Sequence, residues 1–242
     1  MQMKRFIAIL LIAAVFCCFV SALAEEPITA EGLYARYPVP EAAITSDPSA
    51  DPCLKLVNKK NKLPWNDVPE LVIPNVQAKK NVKIELAPEA AKALEELFSA
   101  AQAENLELVA ISGYRSYSTQ KAIYQRSIEK NGKAYADLAS AQAGKSEHQL
   151  GLAVDVSCDA IKLNLNKSFA ATKEGKWLYE HCPEFGFIVR YKTEWVKTTG
   201  YKGEPWHIRY VGKEHAKYIT KLNVPFDTYM AYLQLVWENK AT

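Results

Sequence analysis

The sequence predicts an α+β domain with a mainly antiparallel sheet flanked by helices. Helical and extended patterns mix along the chain without regular βαβ alternation, and several short extended segments follow one another after residue 150. The composition, 49% hydrophobic and 24% charged, is typical of a globular chain with a substantial core. Ten glycines without regular spacing argue against a repeat architecture.

The first half of the predicted domain alternates between helix and strand. A helix is predicted at 88–103, because Pro88 suits a first helical turn and apolar residues recur at helical spacing after it. Apolar residues then alternate over 106–111, which predicts a strand. A second helix at 118–130 ends at the Asn-Gly pair 131–132.

The second half is richer in strands. A strand is predicted at 151–156, with Leu152, Val154 and Val156 on one face. The remaining predicted elements are a helix at 174–181, strands at 186–191 and 206–211, and helices at 213–222 and 226–237.

The first 24 residues have the pattern of a secretory signal peptide. Lys4 and Arg5 precede an unbroken apolar stretch at 6–20, and Ala22-Leu23-Ala24 supplies the cleavage pattern. An uncleaved anchor is the alternative, because the apolar segment nearly reaches the length of a spanning helix. We therefore expect a secreted or extracytoplasmic protein of the cell envelope without another membrane span, or a membrane-anchored one if the signal stays.

The mature chain is predicted to start with an arm. Residues 25–53 are rich in Pro, Ala and Glu, which predicts a tether or a wrapped N-terminal arm or linker, and the folded domain is placed at 54–242. A net charge of +3 without a dense basic run excludes a typical nucleic-acid binder. We expect a monomer.

Two short segments, 146–155 and 204–209, are dense with reactive side chains and contain two of the four histidines. A catalytic zinc ion needs three protein ligands and an open position, and His148, Asp155 and His207 would supply two imidazoles and a carboxylate. Asp155 is the one acid in an apolar strand, and a buried carboxylate needs a partner. The other two histidines are interpreted as ordinary hydrogen-bonded residues.

Glu204 is the candidate base for a metal-bound water, since that role needs a carboxylate near the metal that is not itself a ligand. On a regular strand, residues three apart face opposite sides, so Glu204 and His207 converge only across a bend. Pro205 between them favours such a bend.

Three motifs together resemble the VanY-type zinc D-alanyl-D-alanine carboxypeptidases, including the related L,D-carboxypeptidases. They are Ser112-Gly113-Tyr114-Arg115-Ser116-Tyr117 with Gln120, Ser146-Glu147-His148-Gln149-x-Gly151-x-Ala153-x-Asp155, and Glu204-Pro205-Trp206-His207. The resemblance also covers Leu56-Val57-Asn58-Lys59 with Leu63-Pro64, and the segment 186–191, so it extends over about residues 54–235. Three motifs in this order are far more specific than any one of them.

The resemblance implies a Hedgehog/DD-peptidase-like fold and a zinc-dependent carboxypeptidase that removes the C-terminal D-alanine from peptidoglycan stem peptides. It further implies that the two histidines and Asp155 bind Zn²⁺, that Glu204 is the catalytic acid/base, and that Arg115 stabilises the oxyanion. Gln120 and Ser146 would line the substrate site. Trp206 either packs behind the site or forms a wall of it.

Two alternatives remain open. An L,D-carboxypeptidase that trims tetrapeptide stems shares the motifs. A non-catalytic cell-wall-binding module could use the same cleft, but such a module has no need of an acid/base residue such as Glu204.

The mature chain keeps Cys53, Cys158 and Cys182, an odd number. Cys158 follows the strand of Asp155, and Cys182 ends the helix that leads into the strand at 186–191. If these two strands are neighbours, a Cys158–Cys182 disulfide is predicted, with Cys53 as the free thiol. Three reduced cysteines are the alternative.

Overall fold

A single four-stranded sheet organises the protein. In this computed structural model, which describes residues 28–39, 44 and 46–240, the strands are β1 (Val109–Ser112), β2 (Ala153–Ser157), β3 (Phe187–Tyr191) and β4 (Glu204–Tyr210). Their order is β1-β2-β4-β3, and every pair is antiparallel. The predicted α+β class with a mainly antiparallel sheet is confirmed.

Eight helices surround the sheet in the described part of the chain. They are α1 (Ala30–Arg36), α2 (Pro88–Ala103), α3 (Tyr117–Asn131), α4 (Lys133–Ala139), α5 (Lys173–His181), α6 (Val196–Thr199), α7 (Lys213–Leu222) and α8 (Phe226–Lys240). The sequence predicted α2, α3, α5 and α7 to within a residue at each end, but α1, α4 and α6 were not predicted.

Both faces of the sheet are covered, each by its own apolar core. Ile188 and Val189 are consecutive in β3 and pack into different cores, because neighbouring strand residues point to opposite faces. The core that contains Val189 is formed with α2 and α5, and the core that contains Ile188 is formed with α1, α7 and α8. A charged side chain on either face is therefore buried unless it reaches a cleft.

The segment before the domain is partly folded. Helix α1 packs against α8, and its Leu33 is fully buried, so ordered structure begins earlier than the predicted domain start near Leu54. The predicted signal peptide at 1–24 lies outside the described residues. Within the described ranges, no helix is both long enough and apolar enough to cross a membrane.

The predicted Cys158–Cys182 disulfide is wrong in this structure, where Cys53, Cys158 and Cys182 are all free thiols. The prediction required β2 and β3 to be neighbours, but β4 lies between them. Both thiols are instead buried in the core beside α2, where burial raises the pKa of Cys182 to about 12.

Candidate metal centre

Three buried side chains from three parts of the chain meet beside the two central strands of the sheet. His148 lies in a short 3₁₀ turn before β2, and Asp155 and His207 are directly paired across β2 and β4. Nε2 of His148 lies 3.4 Å from Oδ2 of Asp155, and Nδ1 of His207 lies 3.1 Å from Oδ1. All three potential ligand atoms lie within 4.8 Å of one another, so the structure brings the predicted ligands together.

The hydrogen bonds of this cluster fit a metal ion. Nδ1 of His148 lies 2.7 Å from the backbone oxygen of Gly113, so this nitrogen donates and Nε2 keeps its lone pair. Nε2 of His148 is buried and has no hydrogen-bond partner among the described residues. Such an atom is costly to bury alone. Two imidazoles and one carboxylate that leave a position open form the donor set of a catalytic zinc site.

Glu204 reaches the same cleft because β4 bulges. Ile208 pairs with Val189 and Glu204 pairs with Tyr191, so β4 carries two more residues than β3 over this interval. The irregularity at Pro205 and Trp206 lets Glu204 and His207 line one cleft, which confirms the predicted bend. Burial and the negative charge of Asp155, only partly offset by His207 and Arg115, raise the pKa of Glu204 to about 7.

Arg115 and Gln120 form the opposite wall. Nη1 of Arg115 donates to Oε1 of Gln120 over 2.9 Å, and Nη2 donates to Oδ2 of Asp155 over 3.3 Å. Gln120 in turn donates to the backbone oxygen of Ala141 over 2.7 Å. The guanidinium is thereby held at the cleft, with 19% of the side chain exposed.

The remaining predicted site residues line the same cleft, which has a volume of about 210 Å³. Ser146 precedes the 3₁₀ turn, and Trp206 both packs into the core beside α2 and forms part of the cleft wall. The structure also places Tyr191 and Tyr201 there, which the sequence did not predict. No pattern in the sequence distinguished them from core aromatics.

A buried ionic cluster behind His207 was also not predicted. Oε2 of Glu147 lies 3.5 Å from Nε2 of His207, and Oε1 contacts Arg190 at 2.7 Å and Arg209 at 3.1 Å. Glu147 and both arginines are at most 1% exposed. The available signal was an arginine near the end of each of two strands, β3 and β4, beside apolar residues.

Comparisons with known proteins agree with this site. A family described as VanY, D-alanyl-D-alanine carboxypeptidase, matches residues 83–213. The putative carboxypeptidase YodJ of Bacillus subtilis is 43% identical over 180 residues, which make up 73% of this chain. They cover 66% of that relative, so the chain spans slightly less than two thirds of its length.

Two solved structures share the fold. One is the LdcB LD-carboxypeptidase, whose structure is described as revealing the basis of peptidoglycan recognition. It matches with a TM-score of 0.68 and 43% identity, and the match covers 72% of this chain and 83% of the LdcB chain. The vancomycin-resistance D,D-pentapeptidase VanY, in complex with Zn(II), has a TM-score of 0.64 and 33% identity, covering 74% and 99%. The fold and the family resemblance read from the motifs are thus confirmed. The family match covers more than half of this chain, which therefore belongs to the VanY family of D-alanyl-D-alanine carboxypeptidases.

Proposed function

We propose that this protein is a zinc carboxypeptidase that removes the C-terminal D-alanine from peptidoglycan stem peptides. The observation that carries the proposal is the convergence of three metal donors, the Glu204 carboxyl group and the Arg115 guanidinium in one cleft. Family membership supports the reaction class, and the similar LdcB structure, which is described as revealing the basis of peptidoglycan recognition, supports a substrate from peptidoglycan. A binding module without catalysis would not need a carboxyl group that titrates near neutrality at this position.

His148, Asp155 and His207 would hold the zinc ion. When bound, zinc supplies Lewis acidity, which polarises a carbonyl group and makes a water molecule more acidic. Glu204 accepts the proton of the attacking water and delivers it to the leaving amine, a task suited to a pKa of about 7.

Arg115 supplies positive charge where the carbonyl oxygen becomes negative. Its bonds to Gln120 and Asp155 fix the guanidinium in advance, so no reorganisation is needed when charge develops. Ser146 and Trp206 complete the walls that position the peptide.

Two bonds are candidates for cleavage. The family name and the VanY structure favour the D-Ala-D-Ala bond of a pentapeptide stem. The higher identity to an L,D-carboxypeptidase, 43% against 33% for VanY, favours the bond between the third residue and the D-alanine of a tetrapeptide stem. The two reactions share all the groups described above.

Defined stem peptides test the proposal. The zinc-loaded protein is incubated with tripeptide, tetrapeptide and pentapeptide stems that carry lysine or diaminopimelate at the third position, and the products are identified by mass spectrometry. A tetrapeptide formed from the pentapeptide indicates D,D-cleavage, and a tripeptide formed from the tetrapeptide indicates L,D-cleavage. Absence of both products from the zinc-loaded protein overturns the proposed function.

We also infer that the protein acts outside the cytoplasm, because residues 1–24 have the charge and apolar pattern of a signal peptide. Residues 25–53 would then form the arm before the catalytic domain at 54–242. N-terminal sequencing of the protein recovered from the cell envelope tests this inference. A mature chain that begins at Glu25 supports cleavage, and an intact Met1 supports the anchored alternative.

A further inference from the structure

Glu147 and His148 are consecutive residues of one 3₁₀ turn, and each contacts a different part of the candidate metal centre. His148 directs Nε2 towards Asp155, whereas Glu147 directs Oε2 towards the outer nitrogen of His207, 3.5 Å away. Both residues are 1% exposed. Oε2 of Glu147 and Nε2 of His207 have no hydrogen-bond partner among the described residues, and the two atoms lie 3.5 Å apart.

The other oxygen of Glu147 is fixed by two arginines. Nε of Arg190 donates to Oε1 over 2.7 Å, and Nη1 of Arg209 lies 3.1 Å from the same atom. Two guanidinium groups thus share one oxygen of Glu147 and favour its carboxylate form, which can only accept hydrogen bonds.

The two arginines are also linked by contacts to the segment 53–58, which contributes no group to the cleft. Arg209 donates to the backbone oxygens of Cys53 and Lys55, each over 3.0 Å. Arg190 contacts Asp227 of α8 at 2.8 Å, and Asn58 donates to the other oxygen of Asp227 over 2.8 Å. A continuous chain of contacts thus connects this segment to the ring of His207.

We propose that Glu147 is a positioning residue for His207, held in place by Arg190 and Arg209. Nε2–H of His207 points at the Glu147 carboxylate, so the ring is fixed with Nδ1 towards Asp155 and the metal position. The inference rests on the proposed zinc site, but not on the choice of substrate. It requires the two site histidines to carry their hydrogens on opposite nitrogens, Nδ1 in His148 and Nε2 in His207.

The first test reads these hydrogens directly in the zinc-loaded full chain. The protein labelled with ¹⁵N-histidine is measured by long-range proton–nitrogen correlation NMR, and His181→Gln and His215→Gln identify the two signals outside the site. The signals of His207 are recognised by proximity to the ring of Tyr191, whose centroid lies 5.1 Å away. We expect His207 to carry its hydrogen on Nε2. A hydrogen on Nδ1 of His207 overturns the proposal.

The second test is the variant Glu147→Gln, which keeps the size of the side chain and removes its charge. The dissociation constant for zinc, measured by competition with a chelator, is expected to rise about 10–100-fold. The visible spectrum of the cobalt-substituted protein should change as well, because the ligand field of a reoriented ring differs. Glu174→Gln is the matched control, since Glu174 is also buried, at 5% exposure, but does not line the cleft.

The control is expected to change the zinc constant less than about twofold, since it alters no group near the donors. An unchanged zinc constant and cobalt spectrum in folded Glu147→Gln overturn the proposal. If Glu147→Gln does not fold, the NMR measurement on the unsubstituted protein still decides. Neither readout involves hydrolysis, so an error in the proposed substrate and an error in the role of Glu147 are distinguishable.

Discussion

The two halves of the candidate metal centre support their histidines in different ways. His148 and His207 are at most 4% exposed, and their ring centroids lie 4.9 Å apart. The outer nitrogen of His148 donates to the backbone oxygen of Gly113, whereas that of His207 faces the carboxylate of Glu147. The neutral half, His148 with Gly113, therefore uses an uncharged backbone group. The charged half, His207 with Glu147 and its two arginines, uses buried charges.

The two histidines also differ in their electrostatics. Burial, together with the positive charge of Arg115, lowers the pKa of His148 to about 4. Burial also disfavours the charged form of His207, but hydrogen bonds with Asp155 and Glu147 outweigh it and raise the pKa to about 9. The carbonyl group of Gly113 contacts its ring without adding a charge, whereas the buried carboxylate of Glu147 is accompanied by two further buried charges, those of Arg190 and Arg209.

Removal of a histidine ring should reduce zinc binding more than any other change, for His148 and His207 alike. His148→Ala deletes one of three donors, so we expect the zinc content to fall from about one per chain to nearly none, with loss of hydrolysis. Elemental analysis after desalting measures this. His181→Ala is the control, because His181 stacks on Trp177 outside the cleft. Full zinc occupancy in His148→Ala would show that the ligand assignment is wrong.

A substitution at Glu204 tests whether hydrolysis can be lost while both histidines still bind zinc. Glu204→Gln cannot accept a proton, and we expect kcat/KM to fall about 10²–10⁴-fold. Zinc content and thermal stability should stay at the level of the unsubstituted protein, because Glu204 is not among the three donors. The exposed Glu194→Gln serves as the control. Hydrolysis by Glu204→Gln at the normal rate would exclude the acid/base role.

The sequence was most informative where short segments contain the signal. His148 and Asp155 share one motif and His207 stands in another, and ligand chemistry together with the family resemblance grouped them before the structure did. Helices α2 and α7 were predicted at their observed bounds because their apolar residues follow the helical period.

The sequence was least informative where the order of strands decides the outcome. Glu147 stands beside His148, but its partners Arg190 and Arg209 belong to β3 and β4, and only the sheet order brings them behind His207. The erroneous disulfide between Cys158 and Cys182 has the same origin. Local patterns give the faces of strands, but they do not say which strand lies next to which.

The charged half is expected to contribute strongly to stability. Arg209→Met leaves Glu147 with one arginine and frees two backbone oxygens, and breaking a buried ionic group of this kind costs about 3–5 kcal/mol. Urea denaturation with linear extrapolation measures the free energy of unfolding. Lys213→Met is the matched control, because the Lys213–Glu96 pair is also close, at 3.0 Å, but exposed.

For that exposed pair we expect a loss of about 0–1 kcal/mol. A loss in Arg209→Met no larger than in Lys213→Met would mean that the buried charges behind His207 do not act as a connected group. A larger loss accompanied by normal zinc binding would restrict Arg209 to a structural role.

The neutral half should respond to a single methyl group. A Cβ atom at Gly113 would lie 2.6 Å from the backbone oxygen of Glu85 and 3.1 Å from Cγ2 of Ile84, so the backbone at Gly113 has to shift. Overpacking of this kind costs about 1–3 kcal/mol. The same shift moves the carbonyl group to which His148 donates, so Gly113→Ala should also weaken zinc binding, by about tenfold.

Gly32→Ala is the control for the added methyl group. A Cβ atom at Gly32 would meet no neighbouring atom closer than 3.4 Å. Gly32 lies in α1 and does not line the cleft. Alanine replaces glycine favourably in a helix, so stability should rise by about 0.5–1 kcal/mol with zinc binding unchanged. If Gly113→Ala loses stability but keeps the normal zinc constant, the carbonyl of Gly113 does not orient His148. The two halves would then differ in kind, because only the charged one would act on its ligand.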